Sequence, residues 1–434
     1  MVGVGFRTTA FGSLSGYVAG DASPPRSASS DQVGRGLVTS MRLTSCVALA
    51  AGALGMIGAA RADDKPILIG FAIAQTGWQQ PFDTGYSTAE IAIEEINAKG
   101  GLLGRKLVTA YCDTKTDREQ GAKCGEEMVE KGADLVVVSC DYDMGAPAAL
   151  AAARAGKIAW SLCAGDPKMG VQAIGPLAFS GGEAAQLQGS AMAEWGFNKK
   201  GWKTAYVLLD SSVEYNKSVC YGFELAFKAV GGKIVGRDTF KNDDPSIATQ
   251  ITRLKAQNPA SDVIALCSYT PGGASAVRQI RAAGVNTPIA SDNAMDGGYW
   301  LSAVRDLSNF YYPSYGSVVG GDPRPGINEI RERYVVKVKE QPPNSQTYMG
   351  SSMMQLYVAA VEKAQTVESK AVVAAYETFK DQPTVEGPFS FTHDLHIQVK
   401  RQFTIMGINN GKLEALELWN TITPLTMKDL FRKK

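Results

Sequence analysis

From Pro66 onward short apolar runs alternate with amphipathic stretches. That alternation predicts repeated βα units around parallel sheets, because a strand covered on both faces reads as a continuous apolar run. Ile67 to Ile73 is the first predicted strand; Ala89, Ala92, Ile93 and Ile96 then recur at helical spacing until Gly100-Gly101 ends the helix. Leu107 to Tyr111, Ala133 to Ser139 and Lys157 to Leu162 are the next strands. Asp117-Arg118-Glu119-Gln120 reads as a capped helix start, and another helix is expected from Pro147 to Ala155.

After Lys203 the pattern begins again. Thr204 to Leu209, Lys233 to Val235, Asp262 to Leu266 and Pro288 to Ala290 are predicted strands, with helices over Glu214 to Val230 and Gly273 to Ala283. Asp244-Pro245 reads as an N-cap followed by proline at the first helical position. Beyond Tyr311-Tyr312-Pro313 come helical segments Asn328 to Val338, Thr347 to Lys363 and Lys370 to Lys380, then strands Gln398 to Met406 and Lys412 to Leu418 around Asn409-Asn410-Gly411, a hairpin signal. These late elements lack a sheet of their own and are expected to complete the two halves. Residues 63–182 with 313–396 then make one α/β lobe, and 183–312 with 397–434 the other. Lobes crossed more than once by the chain form a hinged cleft.

A chain of 434 residues fits more than one domain, and a formal net charge of +1 gives no reason to expect a nucleic-acid partner. Residues 1–40 are rich in Gly, Ser and Thr without periodicity and read as an extension that is not part of the natural protein. Met41-Arg42, the apolar run Cys46 to Ala60 and the small-residue site Ala60-Arg61-Ala62 are the parts of a secretory signal peptide at 41–62. The run is shorter than the roughly 20 apolar residues of a membrane-spanning helix, so the expected product starts near Asp63 in the periplasm. Setting Cys46 aside leaves Cys112, Cys124, Cys140, Cys163, Cys220 and Cys267. An oxidising compartment favours pairing, but spacing alone does not give the connectivity. The first four are the better bridge candidates, and Cys267, in an apolar strand, can be read as a buried free thiol. His393 and His396 lack a third ligand at metal spacing, and phosphate-binding glycine motifs and GxSxG are absent, so no metal, cofactor or catalytic centre is expected.

The segments IAIEEINAKGGLLGRKL, LVVVSCDYDMGAPAAL, YVLLDSSVEYNKS and IRAAGVNTPIASDN resemble those of the leucine/isoleucine/valine-binding, or branched-chain amino-acid type, periplasmic binding proteins. The match runs from Pro66 to about Met406. The resemblance implies a type I binding-protein fold: two Rossmann-like lobes with parallel sheets, a solute held at the hinge, permease and ATPase partners, and a monomeric protein that does no chemistry. A ligand-sensing receptor of the same fold is the alternative.

By that resemblance, the loop after the first strand covers the ligand with Trp78 and Phe82, and the loop after the third contributes Asp141, Tyr142 and Asp143. The loop after the fourth is commonly Ser-Ala-Thr-like and holds a carboxylate; here it reads Cys163-Ala164-Gly165 and lacks the hydroxyl. The second lobe would add Tyr215, Tyr269 and Asp292, the last facing a ligand ammonium with Asn293 beside it. Each has a plainer reading: surface packing for the Trp and Phe, helix capping for Asp141 and Asp143, core tyrosines, and a turn at Asp292. Backbone N–H groups at Gly145-Ala146-Pro147 offer an anion a helix N-terminus. So many rings favour a ligand with a flat or apolar body, or a cation resting on ring faces, over unmodified leucine.

Overall fold

The computed structural model describes residues 65–257 and 260–431. The expected extension, signal peptide and processing point at Asp63 lie outside them. Strands β1 (Ile67–Ile73), β2 (Leu107–Asp113), β3 (Leu135–Val138), β4 (Ile158–Ser161) and β5 (Ala178–Ser180) form a parallel sheet in the order β2-β1-β3-β4-β5. Helices α1 (Tyr86–Ala98), α2 (Arg118–Glu130) and α3 (Tyr142–Arg154) cover it. Alternate residues divide the core. Ile67, Ile69, Phe71 and Ile73 face α1, while Ala72, Val136 and Val138 share a cluster with Cys124, Met128 and Ala149 of α2 and α3.

Helix α3 begins at Tyr142, ahead of the expected start at Pro147. Asp141 caps it by accepting from the Met144 N–H at 3.1 Å. Proline at 147 leaves the Asp143 carbonyl without its helical donor, and Arg118 Nε supplies one at 2.7 Å.

The second sheet runs β12-β11-β10-β9-β8-β6-β7, comprising β6 (Thr204–Asp210), β7 (Lys233–Phe240), β8 (Val263–Cys267), β9 (Ile289–Ala290), β10 (Phe310–Ser314), β11 (Gln402–Asn409) and β12 (Lys412–Asn420). β6 to β10 are parallel, and β11 and β12 add an antiparallel edge. The turn between them has positive φ at both Asn410 and Gly411, as a two-residue type I′ hairpin requires. Helices α4 (Ala185–Trp195) and α5 (Glu214–Ala229) pack on one face, α6 (Ala248–Lys255) and α7 (Gly272–Ala282) on the other. Sequence reading missed α4: every residue in it is buried, so no polar stripe marks its period. Gly189 lets it lie against α5, where a Cβ would meet the Val219 carbonyl. The expected helix start at Asp244-Pro245 is corrected to Ala248. Asp244 instead closes a turn, accepting from the Lys241 N–H at 2.8 Å.

The late helices α8 (Pro325–Val338), α9 (Met349–Ala364) and α10 (Ser369–Tyr376) return to the first lobe, where α9 and α10 join the core of β1, β3 and β4; a short α11 (Met427–Leu430) lies near the end of the described chain. The chain passes between lobes at 181–184, between Ser314 and Pro325, and at 397–401. Buried ions hold these passages together. Arg401 lies 3.2 Å from Glu183 and 3.6 Å from Glu386, with its guanidinium 4.6 Å above the Tyr315 ring.

The cysteines pair as Cys112 with Cys124, Cys140 with Cys163 and Cys220 with Cys267, at Cα separations of 5.3, 4.7 and 5.7 Å, inside the range a bridge needs. The reading of Cys267 as a free thiol is thereby corrected: α5 packs on β8 and sets Cys220 opposite it.

Candidate functional site

Loops at the carboxyl ends of the parallel strands of both lobes face each other, the place where open α/β sheets hold ligands. The loop after β1 is fixed by the β2 end: Asp113 accepts from the Gln75 N–H and Thr76 hydroxyl, each at 2.8 Å. Behind it the buried Asp83 accepts from the backbone N–H of Ala74 at 2.6 Å, of Cys140 at 2.7 Å and from Gln79 Nε2 at 3.2 Å. One carboxyl group thus sets the β1 loop against the β3 loop, and it carries Trp78 and Phe82 to the cleft.

Between the lobes lies a cleft with about 410 Å³ of space not filled by atoms, part of it open to solvent. Of the residues expected from sequence, Trp78, Phe82, Asp141, Cys163, Tyr215, Tyr269 and Asn293 line it. Trp78 from one lobe and Tyr269 from the other meet across it, ring centroids 4.6 Å apart. Tyr142, Asp143, Ala164, Gly165 and Asp292 do not line it. Tyr142 lies under the Lys168 ammonium, 4.9 Å away. Asp143 bridges the cleft rim, accepting from the Glu214 N–H of the opposite lobe at 2.9 Å and pairing with Arg118. Ala164 is fully buried, and Gly165 gives room to Tyr215, whose ring would stand 3.1 Å from a Cβ there. Asp292 is fully buried behind the wall and accepts from Ala294 N–H at 2.9 Å, Ser268 N–H at 3.2 Å and the Tyr215 hydroxyl at 3.3 Å.

The wall also holds Gln79, Cys140, Gln188, Val213, Ala294, Tyr315 and Gln346, which sequence reading missed. Gln188, on α4, accepts from the Tyr215 hydroxyl and from Asn293 N–H, and donates to Glu183 at 2.8 Å. Gln346 donates to the Asn293 carbonyl at 2.9 Å and side-chain oxygen at 2.6 Å. Two more groups bridge the lobes outside the cavity: Lys168 pairs with Glu214 at 2.7 Å and the Ser218 hydroxyl donates to Asp166 at 3.2 Å.

The expected anion site at Gly145-Ala146-Pro147 is corrected. Those residues lie inside α3, where the Gly145 N–H is held by the Asp141 carbonyl at 2.7 Å, and the free end of the helix is capped by the Asp141 carboxyl group. Burial pushes Asp141 up to about 7, and the charges of Asp143 and Asp166 add to the effect. Burial likewise pushes Asp292 up to about 8 against the hydrogen bonds that favour its ion. The two histidines stand apart from the cavity: His396 is buried and stacked on Phe179 at 3.8 Å, and His393 is exposed.

A family model described as "Periplasmic binding protein" matches residues 66–412. The chain is 24% identical over 380 residues to the Leu/Ile/Val-binding protein homolog 3 of Brucella melitensis, covering 87% of this chain and 100% of that one. A crystal structure of the branched-chain amino acid transporter substrate binding protein LivJ from Streptococcus pneumoniae, in complex with isoleucine, superposes with a TM-score of 0.72 at 24% identity, covering 82% of this chain and 100% of the other. The solute binding protein of an ABC transporter from Rhodopseudomonas palustris BisB5, in complex with 3,4-dihydroxy benzoic acid, superposes with a TM-score of 0.68 at 18% identity, covering 83% and 98%.

Proposed function

Because the chain belongs to the periplasmic binding protein family, we propose that it captures a small organic solute between its lobes and delivers it to the permease and ATPase subunits of an ABC importer. The observation that carries this reading is a cavity walled by both lobes, with Trp78 and Phe82 on one side and Tyr215, Tyr269 and Asn293 on the other. A solute lying there touches both halves only when they are together, so it binds the closed arrangement better than the open one, and that difference drives closure. Rim contacts such as Asp143 with Glu214 form in the same movement.

Binding without chemistry is the companion reading. It is supported by relatives named as binding proteins. Export to the periplasm follows from the signal peptide read at 41–62, and no helix among the described residues is long and apolar enough to cross a membrane.

Mass spectrometry of compounds released on denaturing the purified chain, followed by thermal denaturation with each compound restored, tests the reading. A solute at 100 times its Kd should add about 2.7 kcal/mol of stability. Absence of any released or stabilising small molecule, or conversion of the bound compound to a product, would count against it.

A further inference from the structure

We propose that the solute is an organic cation without a carboxylate, its charged end beside Asp141 and Gln346 and its body among the rings. This rests on the reading of the cavity as a solute site and names the class of solute.

Charge comes first. Among the described residues lining the cavity none is Lys, Arg or His, and the one ionisable carboxyl group on the wall is Asp141. More carboxyl groups stand behind it: Asp83 under Gln79 and Cys140, and Asp292 under Tyr215. The neighbouring cations are already engaged, Lys168 by Glu214 and Arg401 by Glu183 and Glu386. An entering anion finds no counter-charge on the wall, whereas a cation finds Asp141, whose ionised form its approach favours, and the ring faces.

The hydrogen-bonding groups point the same way. Asn293 donates to the Pro313 carbonyl at 3.3 Å, which sets its amide, so its oxygen takes the Gln346 Nε2 at 2.6 Å. Gln346 Oε1 is then left as a buried acceptor without a partner, which an N–H or O–H from the solute would satisfy. Two backbone donors and a thiol that a carboxylate could use near the Asp141 end are engaged within the protein. The Ala164 N–H goes to the Ser161 hydroxyl at 3.1 Å, the Met144 N–H to Asp141, and Cys163 is bonded to Cys140.

The test reads the compound released from the purified chain by mass spectrometry, then titrates the chain calorimetrically with benzylamine, benzamide and benzoate, which share a body and differ in charge. An amine or quaternary ammonium compound without a carboxylate in the released material is expected. Benzylamine should bind at least about tenfold tighter than benzoate, and Asp141→Asn, with unchanged circular dichroism, should lose that preference. A released carboxylate, tighter binding of benzoate or benzamide, or a preference unchanged in Asp141→Asn overturns the cation proposal and leaves solute capture standing. No released compound and no binding of any probe overturns both.

Discussion

Replacing Asp141 with Asn separates the group's structural duty from its charge. In the folded chain burial holds the carboxyl group at about 7 against an ordinary 3.8. The folded state therefore keeps a proton, between those two values, that the unfolded chain has released. The stability this confers is fully present below the unfolded value and is lost as pH rises through the folded one. At about 1.4 kcal/mol per unit, the loss is on the order of 4 kcal/mol across the window. Asparagine caps a helix as well as aspartate does but does not titrate. The groups facing Asp141 are Asp143 on its own helix, Asp166 beyond β4, Asp83 through Cys140 and Tyr269 from the other lobe. They are present in both proteins and largely cancel in the difference. Urea unfolding of solute-free wild type and Asp141→Asn from pH 4 to 8 should give curves that coincide near pH 4 and diverge steadily to about pH 7, with the variant more stable. Curves that stay parallel would refute the reasoning, and so would a variant that loses ground as pH rises.

Trp78→Ala and Tyr215→Ala should each weaken solute binding by roughly 10 to 100-fold, the cost of removing a buried aromatic anchor, while far-UV circular dichroism stays the same; unchanged affinity in both would sink the site. Arg401→Met leaves Glu183 and Glu386 buried without a cation and should cost about 3–5 kcal/mol in urea unfolding, part of it recovered when both glutamates become Gln. Non-reducing peptide maps should link Cys112 to Cys124, Cys140 to Cys163 and Cys220 to Cys267. Changing Cys220 and Cys267 to Ser should cost about 4 kcal/mol for a separation of 47 residues, and a loss below about 1 kcal/mol would argue against that pair.

Most strands were legible because both faces of each parallel sheet are covered, so β1, β3, β6 and β8 are uninterrupted apolar runs. The hairpin was legible too, since only residues tolerant of positive φ fit a type I′ turn and Asn410-Gly411 is such a pair. Pattern failed where tertiary contacts decide. Helix α4 has no exposed side, so no period distinguishes it from a loop. Helix α3 starts before its proline because Arg118, remote in sequence, takes the carbonyl that Pro147 leaves free. The partners of Cys220 and Cys267 depend on α5 packing across β8, which no spacing encodes.

In the cavity the same division holds, with a consequence for how the molecule works. The ring-bearing positions Trp78, Phe82, Tyr215 and Tyr269 could be placed because each follows a strand end, and a strand end fixes where the next few side chains go. Gln188 and Gln346 could not, since one sits on the unseen helix and the other precedes α9 in a passage without repeat. Yet these amides join what the rings leave separate. Gln188 ties Tyr215 and Asn293 of the wall to Glu183, and Glu183 pairs with Arg401 on another of the interlobe passages. Gln346, from the first lobe, holds Asn293 of the second. On the proposed reading, a displacement of Tyr215 or Asn293 by a solute would reach the buried Glu183–Arg401 pair through Gln188 alone. Buried networks of this kind tolerate few intermediate geometries, because a half-made set leaves polar groups unpaired at a cost. On the same reading, such a wall would favour discrete open and closed arrangements over a continuum and would make solute selection and lobe closure one event.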